Sequence, residues 1–250
     1  MYQKKKDVNN SHNIVIIQSI KTRVFKEGDN LLTFITDHCK KIPEKSIIVI
    51  TSKIVALAEG RTAILSSLAD KEKLIRAESD FALPTKYVWL TVKDGAVMTS
   101  AGIDESNANG KFILLPKNGF KTAHSLRNAL KRKYHVKDLG VLITDSRTIP
   151  FRGGSAGIAL GYAGFRGVKD YRGKPDIFGK KLKLSKTDAA DSLAAAAVLV
   201  MGEGNERQPL AIVKRAPIEF RDRVDRKELH IDIREDVYLP IFSKLSKRSI

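Results

Sequence analysis

The sequence predicts an α+β fold in which buried strands and amphipathic helices mix without a regular repeat. Short apolar runs rich in β-branched residues, such as residues 46–50, indicate buried strands. Leu126, Leu130 and Tyr134 recur at four-residue spacing and indicate an amphipathic helix. No predicted strand–helix pair carries a dinucleotide-type glycine loop, which argues against a doubly wound parallel sheet.

The first half of the chain contains several elements with clear local signals. Strands are predicted at residues 13–17, 46–50, 87–92 and 111–115. Helices are predicted at residues 31–40 and 65–81. A turn that ends in Asp29 precedes the first helix, so Asp29 is its expected N-cap. Cys39 lies in the same helix and is expected to be a packing residue rather than a nucleophile.

The second half of the chain combines regular elements with one stretch of small residues. An amphipathic helix is predicted at residues 122–134, and strands are predicted at residues 139–144 and 210–213. Residues 152–164 are rich in glycine and alanine. A long helix is predicted at residues 186–201, with Ser185 or Thr187 as its cap, and Gly202 and Gly204 end it.

The chain reads as a single folded region with polar or basic ends. We expect residues 1–12 to be disordered, residues 13–243 to be folded, and residues 244–250 to form a loose basic tail. One cysteine among 250 residues cannot form an internal disulfide, which agrees with a reducing cytoplasm. No stretch approaches the roughly 20 apolar residues of a membrane helix, and no apolar signal core follows the N-terminus.

The formal net charge of +17 favours anionic partners, such as nucleic acid, nucleotides or acidic metabolites. The 45 basic residues are spread along the chain, and no zinc-finger spacing or RNA-recognition signature is present. Nucleic acid is therefore the less favoured of these partners, although a nucleic-acid-binding protein stays an alternative.

The loop at residues 101–107 is the first candidate site. Asp104, Glu105, Ser106 and Asn107 place two acids, a hydroxyl and an amide within four positions, and such oxygen donors can hold a hard cation. The alternative is a turn in which Asp104 and Asn107 satisfy backbone groups.

The second candidate is the end of the strand at residues 139–144, which runs directly into Asp145 and Ser146. An acid at the C-terminal end of a buried strand is a common metal or phosphate-site residue, because strand ends open into a crevice. The alternative is a helix cap or a turn residue.

Two glycine-rich segments complete the candidates. At residues 152–157, glycines would let backbone N–H groups approach a phosphate, and Arg152 adds a forked donor. Tight packing alone is the alternative for the later glycines. Glu203 lies between Gly202 and Gly204, where it is either exposed to solvent or a ligand.

Several familiar sites are absent from the sequence. There is no phosphate-binding G-x-x-x-x-G-K-[ST] loop, no H-E-x-x-H metal motif and no G-x-S-x-G nucleophile motif. The five histidines form no ligand pair at useful spacing. Catalysis would therefore depend on carboxylates, metal ions, Arg and Lys, a set of groups that suits phosphoryl transfer.

Six segments, in this order, resemble one known family. They are S-K-I-V-A-L-A-E-G-R (residues 52–61), A-G-I-D-E-S-N (101–107), I-T-D-S (143–146), P-F-R-G-G-S-A-G-I-A-L-G (150–161), D-Y-R-G-K-P-D-I-F-G-K-K-L (170–182) and A-D-S-L-A-A-A-A-V-L-V-M-G-E-G (190–204). The series resembles the coenzyme F420-0:L-glutamate ligase family over nearly the whole chain, and its G-I-D-x-S-N and M-G-E-G segments are the most specific.

The resemblance implies a two-subdomain α+β fold with mixed or antiparallel sheets in an intertwined homodimer. It also implies a cytoplasmic enzyme that uses GTP or ATP to join L-glutamate to a carboxylate of an acidic acceptor. Two divalent cations, Mg²⁺ or Mn²⁺, would assist, with K⁺ as a further candidate cation. The acceptor would be coenzyme F420-0 or, in a side branch of the family, a folate.

The resemblance also assigns roles to individual residues. Asp104 and Asp145 resemble ligands of the first metal, and Glu203 resembles a ligand of the second. Ser146 stands where the family has a metal-binding threonine. The residues that match nucleotide-binding positions are Ser52, Lys53, Asn107, Met201, Gly202 and Gly204. Asp104, Asp145 and Arg152 are the expected catalytic residues, and Arg152 would hold an acidic substrate.

The sequence departs from the family's usual pattern at three places. Leu57 stands where the family usually carries lysine, Ile149 stands where it carries arginine, and residues 21–23 replace a G-L-P segment. The metal-type acids persist while neighbouring contacts change, which favours ligase chemistry with a different acceptor or nucleotide. A non-catalytic nucleotide sensor is the further alternative that Leu57 and Ile149 motivate.

Overall fold

A computed structural model describes residues 14–240, which form five α-helices and twelve strands. In chain order the elements are β1 (Ile16–Ile20), α1 (Leu31–His38), β2 (Ser46–Thr51), α2 (Ser52–Ala58), β3 (Thr62–Ala63), α3 (Leu68–Ala77), β4 (Phe81–Pro84), β5 (Trp89–Lys93), β6 (Ala96–Thr99), β7 (Phe112–Ile113), α4 (Gly119–Tyr134), β8 (Leu139–Thr148), β9 (Ser155–Ala163), β10 (Val168–Asp170), β11 (Lys186–Asp188), α5 (Ala189–Met201) and β12 (Leu210–Lys214). The predicted α+β class is confirmed. The expected disorder at residues 1–12 and the expected tail at 244–250 lie outside the described residues.

The central feature is a five-stranded sheet in the order β1-β12-β2-β8-β9. Only the β2–β8 pair is parallel, and the other three pairings are antiparallel. Smaller sheets are formed by β3–β7, by β4–β5–β6 and by β10–β11. The fold is therefore mixed and not doubly wound, as the missing dinucleotide loop predicted.

Helices cover both faces of the central sheet, and strand β2 shows why. Ile48 and Ile50 belong to the apolar core with α1 and α4, whereas Ile47 and Val49 belong to the core with α5. Successive strand residues point to opposite faces, so a continuous apolar run is buried on both sides. Each of these side chains is fully buried and contributes about 1.5–3 kcal/mol of transfer free energy.

The first predicted helix cap was wrong by one residue. Asn30 caps α1, because its Oδ1 accepts the N–H of Thr33 at 2.9 Å. Asp29 instead accepts the N–H of Lys26 at 2.9 Å and pairs with Arg23 at 2.5 Å. The preceding turn therefore uses Asp29, and the helix begins one position later.

Three predicted helices were too long, and the helix predicted at residues 31–40 ends two residues early, at His38. The helix predicted at residues 65–81 covers only Leu68–Ala77, is capped by Ser67, and gives way to β4 at Phe81. The helix predicted at residues 186–201 begins at Ala189. Residues Lys186–Asp188 pair with β10 as strand β11, and Asp188, not Ser185 or Thr187, caps α5 by accepting the N–H of Asp191 at 2.9 Å.

The glycine- and alanine-rich stretch contains a strand that the sequence analysis did not predict. Residues Ser155–Ala163 form β9 beside β8. A Cβ added to Gly157 would lie 2.5 Å from the carbonyl oxygen of Ala194 on α5, so the small residues allow a helix to pack closely. Residues 152–157, for which the sequence predicts a phosphate-binding role, form the turn before this strand and its first residues. No helix among residues 14–240 is long and apolar enough to span a membrane.

Candidate active site

The site lies where the C-terminal ends of the two parallel strands meet. In the β2–β8 pair, Thr51 is in register with Thr144, so the next residues, Ser52 and Asp145, emerge side by side. Ser52 is buried at the start of α2, and its hydroxyl donates to Asp145 Oδ1 at 3.1 Å. Parallel strands thus bring together two predicted site residues that are 93 positions apart in the chain.

Asp145 lies in an environment that disfavours its negative charge. The pKa of the Asp145 carboxyl is raised to about 7, mainly by burial. Hydrogen bonds from Ser146 and Ser52 and the charge of Lys53 lower it, but burial and the nearby charge of Asp104 outweigh them. A carboxyl with this balance is neutralised by a proton or by a cation placed next to it.

Asp104 reaches the same region through a backbone bridge to Ile113, with both N–H···O distances at 2.9 Å. Its Oδ2 pairs with Lys53 Nζ at 2.7 Å, and its Oδ1 accepts the N–H of Ser106 at 2.7 Å. Burial raises the pKa of Asp104, but hydrogen bonds from Lys53 and Ser106 outweigh it and hold the pKa below the ordinary value. Asp104 is therefore held as a carboxylate.

A second acidic position forms on the α5 side. The hydroxyl of Ser146 donates to Glu203 Oε1, which lies in the loop after α5. Gly202 allows this loop to leave the helix because its φ is +82°. Ser146 follows Asp145 directly along β8, so the strand end supplies one contact to Ser52 and one to Glu203.

The loops around these residues are tied together across the chain. Asn107 Nδ2 donates to the carbonyl oxygen of Gly204 at 3.1 Å, which joins the Asp104 loop to the Glu203 loop. Asn107 has a φ of +53°, a conformation that asparagine tolerates better than most residues. Met201 is the last residue of α5, and its side chain is buried in the apolar core between α5 and the central sheet.

The described contacts do not bring the predicted site residue Arg152 to this cluster. It is exposed in the turn between β8 and β9, where its N–H donates to the carbonyl oxygen of Ile149. Leu57, at a position where the resemblance implies lysine, packs against Ala56, Ala108 and Ile113. Its side chain is therefore part of a small apolar cluster between α2, strand β7 and the loop before β7.

The oxygen donors in this cluster suit a hard cation such as Mg²⁺ or Mn²⁺. Within residues 14–240, however, no group of three or more His, Cys, Asp or Glu side chains is close enough to form a metal site. The hydroxyl of Thr144 and the amide oxygen of Gln208, near the same strand ends, are buried and make no hydrogen bond. The fit to a cation therefore rests on the carboxylate and hydroxyl oxygens of the cluster, which pair as Ser52 with Asp145 and Ser146 with Glu203.

Ser106, which the sequence analysis named only as one of the oxygen donors of its loop, makes most of the contacts between Asp104 and Lys53. Its N–H and hydroxyl both donate to Asp104, and its carbonyl oxygen and hydroxyl both accept from Lys53. The signal in the sequence is an aspartate followed two residues later by a serine, the spacing of an Asx turn.

Comparison with known proteins identifies the family. The sequence model described as F420-0:Gamma-glutamyl ligase matches residues 19–215. The chain belongs to this family. The matched region of the F420-0:gamma-glutamyl ligase family includes every predicted site residue, from Ser52 to Gly204.

Full-length relatives agree with this assignment. The Coenzyme F420:L-glutamate ligase of Methanococcus maripaludis strain C7 is 36% identical over 215 residues, covering 79% of this chain and 86% of the relative. The protein of the same name from Methanocaldococcus jannaschii is 31% identical over 246 residues, covering 86% of this chain and 93% of the relative. That of Halobacterium salinarum strain R1 is 30% identical over 226 residues, covering 81% and 86%.

Proposed function

We propose that this protein is a nucleotide-dependent γ-glutamyl ligase that joins L-glutamate to an acceptor carboxylate, with coenzyme F420-0 as the first candidate acceptor. The names of its relatives support the reaction class. The observation that carries the proposal is the contact of Ser52 with Asp145 at the ends of two parallel strands, with the Asp104–Lys53 pair beside it. This is the usual position of a ligand site in a parallel strand pair.

The proposed chemistry follows from the poor reactivity of a carboxylate. An oxygen of the acceptor carboxylate attacks the γ-phosphorus of GTP or ATP, the bond to the β-phosphate oxygen breaks, and an acyl phosphate and a nucleoside diphosphate form. The glutamate amine then attacks the acyl carbon, phosphate leaves with the bonding electron pair, and the amine loses a proton. The product is an amide.

The clustered acids would hold two divalent cations. Asp104 and Asp145 would hold the first, and Ser146 and Glu203 would contribute to the second. When bound, Mg²⁺ or Mn²⁺ supplies positive charge that neutralises the triphosphate and helps align the phosphoryl transfer. The hydroxyl and carboxylate donors present are the ligand types that these ions prefer.

The other predicted residues would bind the substrates. Ser52, Lys53 and Asn107 would donate to the nucleotide, together with backbone groups at residues 202–204. Arg152 would meet the acidic acceptor or glutamate, since an exposed guanidinium binds carboxylates through two parallel hydrogen bonds. The excess of basic over acidic residues in the chain would favour the approach of these anions.

A direct assay tests the proposal. The purified protein is incubated with GTP or ATP, Mg²⁺ or Mn²⁺, L-glutamate, and either coenzyme F420-0 or tetrahydrofolate, and mass spectrometry measures addition of a glutamyl group. We expect an increment that Asp145→Asn reduces by at least about 100-fold, more than the loss typical of residues that only support metal ligands. Asp232→Asn, which changes an exposed acid paired with Arg234, is the matched control.

The acceptor that gains mass identifies the branch. Addition to tetrahydrofolate alone would support the folate alternative. Absence of any increment in the wild-type protein, with nucleotide nevertheless bound, would contradict ligase activity on these acceptors and favour the nucleotide sensor.

A further inference from the structure

The ammonium group of Lys53 occupies an oxygen-lined position of the kind that binds cations. Its Nζ lies 2.7 Å from Asp104 Oδ2, 2.8 Å from the carbonyl oxygen of Ser106 and 3.0 Å from Ser106 Oγ. An ammonium has three N–H donors, and these three oxygens satisfy all of them. A carboxylate, a carbonyl and a hydroxyl are also the oxygen types that coordinate hard metal ions in proteins.

The local sequence holds these oxygens in place without the lysine. The N–H of Ser106 donates to Asp104 Oδ1 at 2.7 Å, and its hydroxyl donates to Asp104 Oδ2 at 2.9 Å. This turn fixes the carboxylate relative to the Ser106 carbonyl. Lys53 approaches from a different element, the first turn of α2, so it can leave while the turn stays intact.

The Lys53–Asp104 pair is suited to exchange. The side chain of Lys53 is 24% exposed and that of Asp104 is 45% exposed, so solvent screens their attraction. Lysine also carries its charge on a flexible four-carbon chain. A divalent cation and an ammonium cannot occupy the same position against Asp104 Oδ2, because two positive charges in contact with one oxygen repel strongly.

We infer that Lys53 is an internal counter-cation that a divalent metal must displace from the Asp104–Ser106 oxygens before it can bind there. The inference rests on the proposed function, in which Asp104 holds a metal ion. The displaced ammonium then becomes free to bind a phosphate of the nucleotide. Metal binding and nucleotide binding are coupled in this way through one lysine.

The coupling predicts opposite effects of a single substitution. In Lys53→Met the competitor is gone, so Mn²⁺ binding without nucleotide becomes tighter, by about tenfold, the lower end of the effect that groups around metal ligands exert. The nucleotide loses a cationic partner, so its affinity in the presence of Mn²⁺ becomes weaker. A lysine with only a structural role would weaken both.

Two direct measurements test this inference. The fraction of free Mn²⁺ in a titration without nucleotide is followed by electron paramagnetic resonance, and GTP and ATP binding are measured by calorimetry. Lys71→Met is the matched control, because Lys71 pairs with Glu105, the residue next to Asp104, and its removal changes the local charge equally. Thermal unfolding establishes that each variant is folded, and Lys53→Gln is the second variant if Lys53→Met is not.

The outcomes separate the inference from the proposed function. Tighter Mn²⁺ binding in the Lys53 variant alone, together with weaker nucleotide binding, is the expected result. Equal or weaker Mn²⁺ binding in that variant, or the same gain in Lys71→Met, overturns the inference while leaving the metal site of the wild-type protein in place. Absence of Mn²⁺ binding in all three proteins contradicts both.

Discussion

Gly119 and Gly161 lie where helix α4 touches strand β9, the neighbour of the strand that carries Asp145. A Cβ added to Gly161 would lie 2.3 Å from the carbonyl carbon of Gly119 and 2.4 Å from the backbone nitrogen of Phe120. These neighbours are backbone atoms, which cannot move aside as a flexible side chain can. Gly161 therefore brings a helix against the sheet, which is the packing role that the sequence analysis kept as the alternative for the later glycines of this stretch.

This close approach predicts a strong effect of one methyl group. Gly161→Ala should lower the free energy of unfolding by about 1–3 kcal/mol or more, because α4 and β9 must separate to admit it. Gly153→Ala, at a glycine with nothing within 4 Å of an added Cβ, should change it by less than about 0.5 kcal/mol. Urea unfolding measures both. Equal stability of the two variants would show that the helix can shift without cost.

One carboxylate joins helix α3 and strand β5 to the loop that follows α2. Glu78 follows α3 and pairs with Arg61 at 2.6 Å and with Lys93 of β5 at 2.5 Å. Arg61 also donates to the carbonyl oxygen of Leu115 at 3.1 Å. These contacts connect the region that precedes Asp104 to the element that carries Ser52 and Lys53.

The pKa of Glu78 predicts how this connection depends on pH. Burial raises its pKa, but hydrogen bonds from Lys93 and Arg61 outweigh burial and hold it below the ordinary value. An acid with a lowered folded pKa stabilises the fold above its unfolded pKa, and the contribution is lost as the pH falls through the folded value.

Glu78→Gln should therefore be less stable than the wild type by about 1–3 kcal/mol at pH 7, the range for hydrogen bonds to charged groups. The difference should begin to shrink as the pH falls below the unfolded pKa of about 4.3, and it should be lost as the pH passes through the lower folded pKa. Urea unfolding at about pH 7, 5, 4 and 3 measures it. Glu72→Gln removes an exposed pair with Arg76 and should cost less than about 0.5 kcal/mol. A difference at Glu78 that does not vary with pH would contradict the assigned role of its charge.

At the scale of the whole molecule, one surface segment carries unusual apolar exposure. The loop between β10 and β11 presents three large apolar side chains to solvent: Ile177, Phe178 and Leu184. Neighbouring exposed apolar side chains commonly mark an interface between proteins. We therefore predict that this segment forms part of the interface of the homodimer that the family resemblance implies.

We expect the wild-type protein to sediment as a dimer and Phe178→Asp to shift it toward monomer, because a charge in an apolar interface is costly to bury. Leu68→Asp is the matched control, since Leu68 and Phe178 are both 86% exposed and Leu68 lies outside the loop between β10 and β11. Analytical ultracentrifugation over a range of concentrations measures the mass. A wild-type protein that is monomeric throughout, or a Phe178 variant that stays dimeric, would contradict this interface.

The sequence alone determined the residue types of the candidate site and the main buried strands. Asp104, Asp145, Ser146 and Glu203 stand in short contiguous motifs, and β-branched runs such as that of β2 are local signals of a strand. These features were predictable because each one is encoded within a few neighbouring residues.

Only the tertiary structure decided which of these residues meet. Ser52 reaches Asp145 across 93 positions, and Asn107 reaches Gly204 across 97, because the parallel register of β2 and β8 and the loop after α5 place them together. The position of Lys53 among the oxygens of Asp104 and Ser106 depends on the same packing. Local patterns contain no register between distant strands, so contacts of this kind emerge only when the sheet assembles.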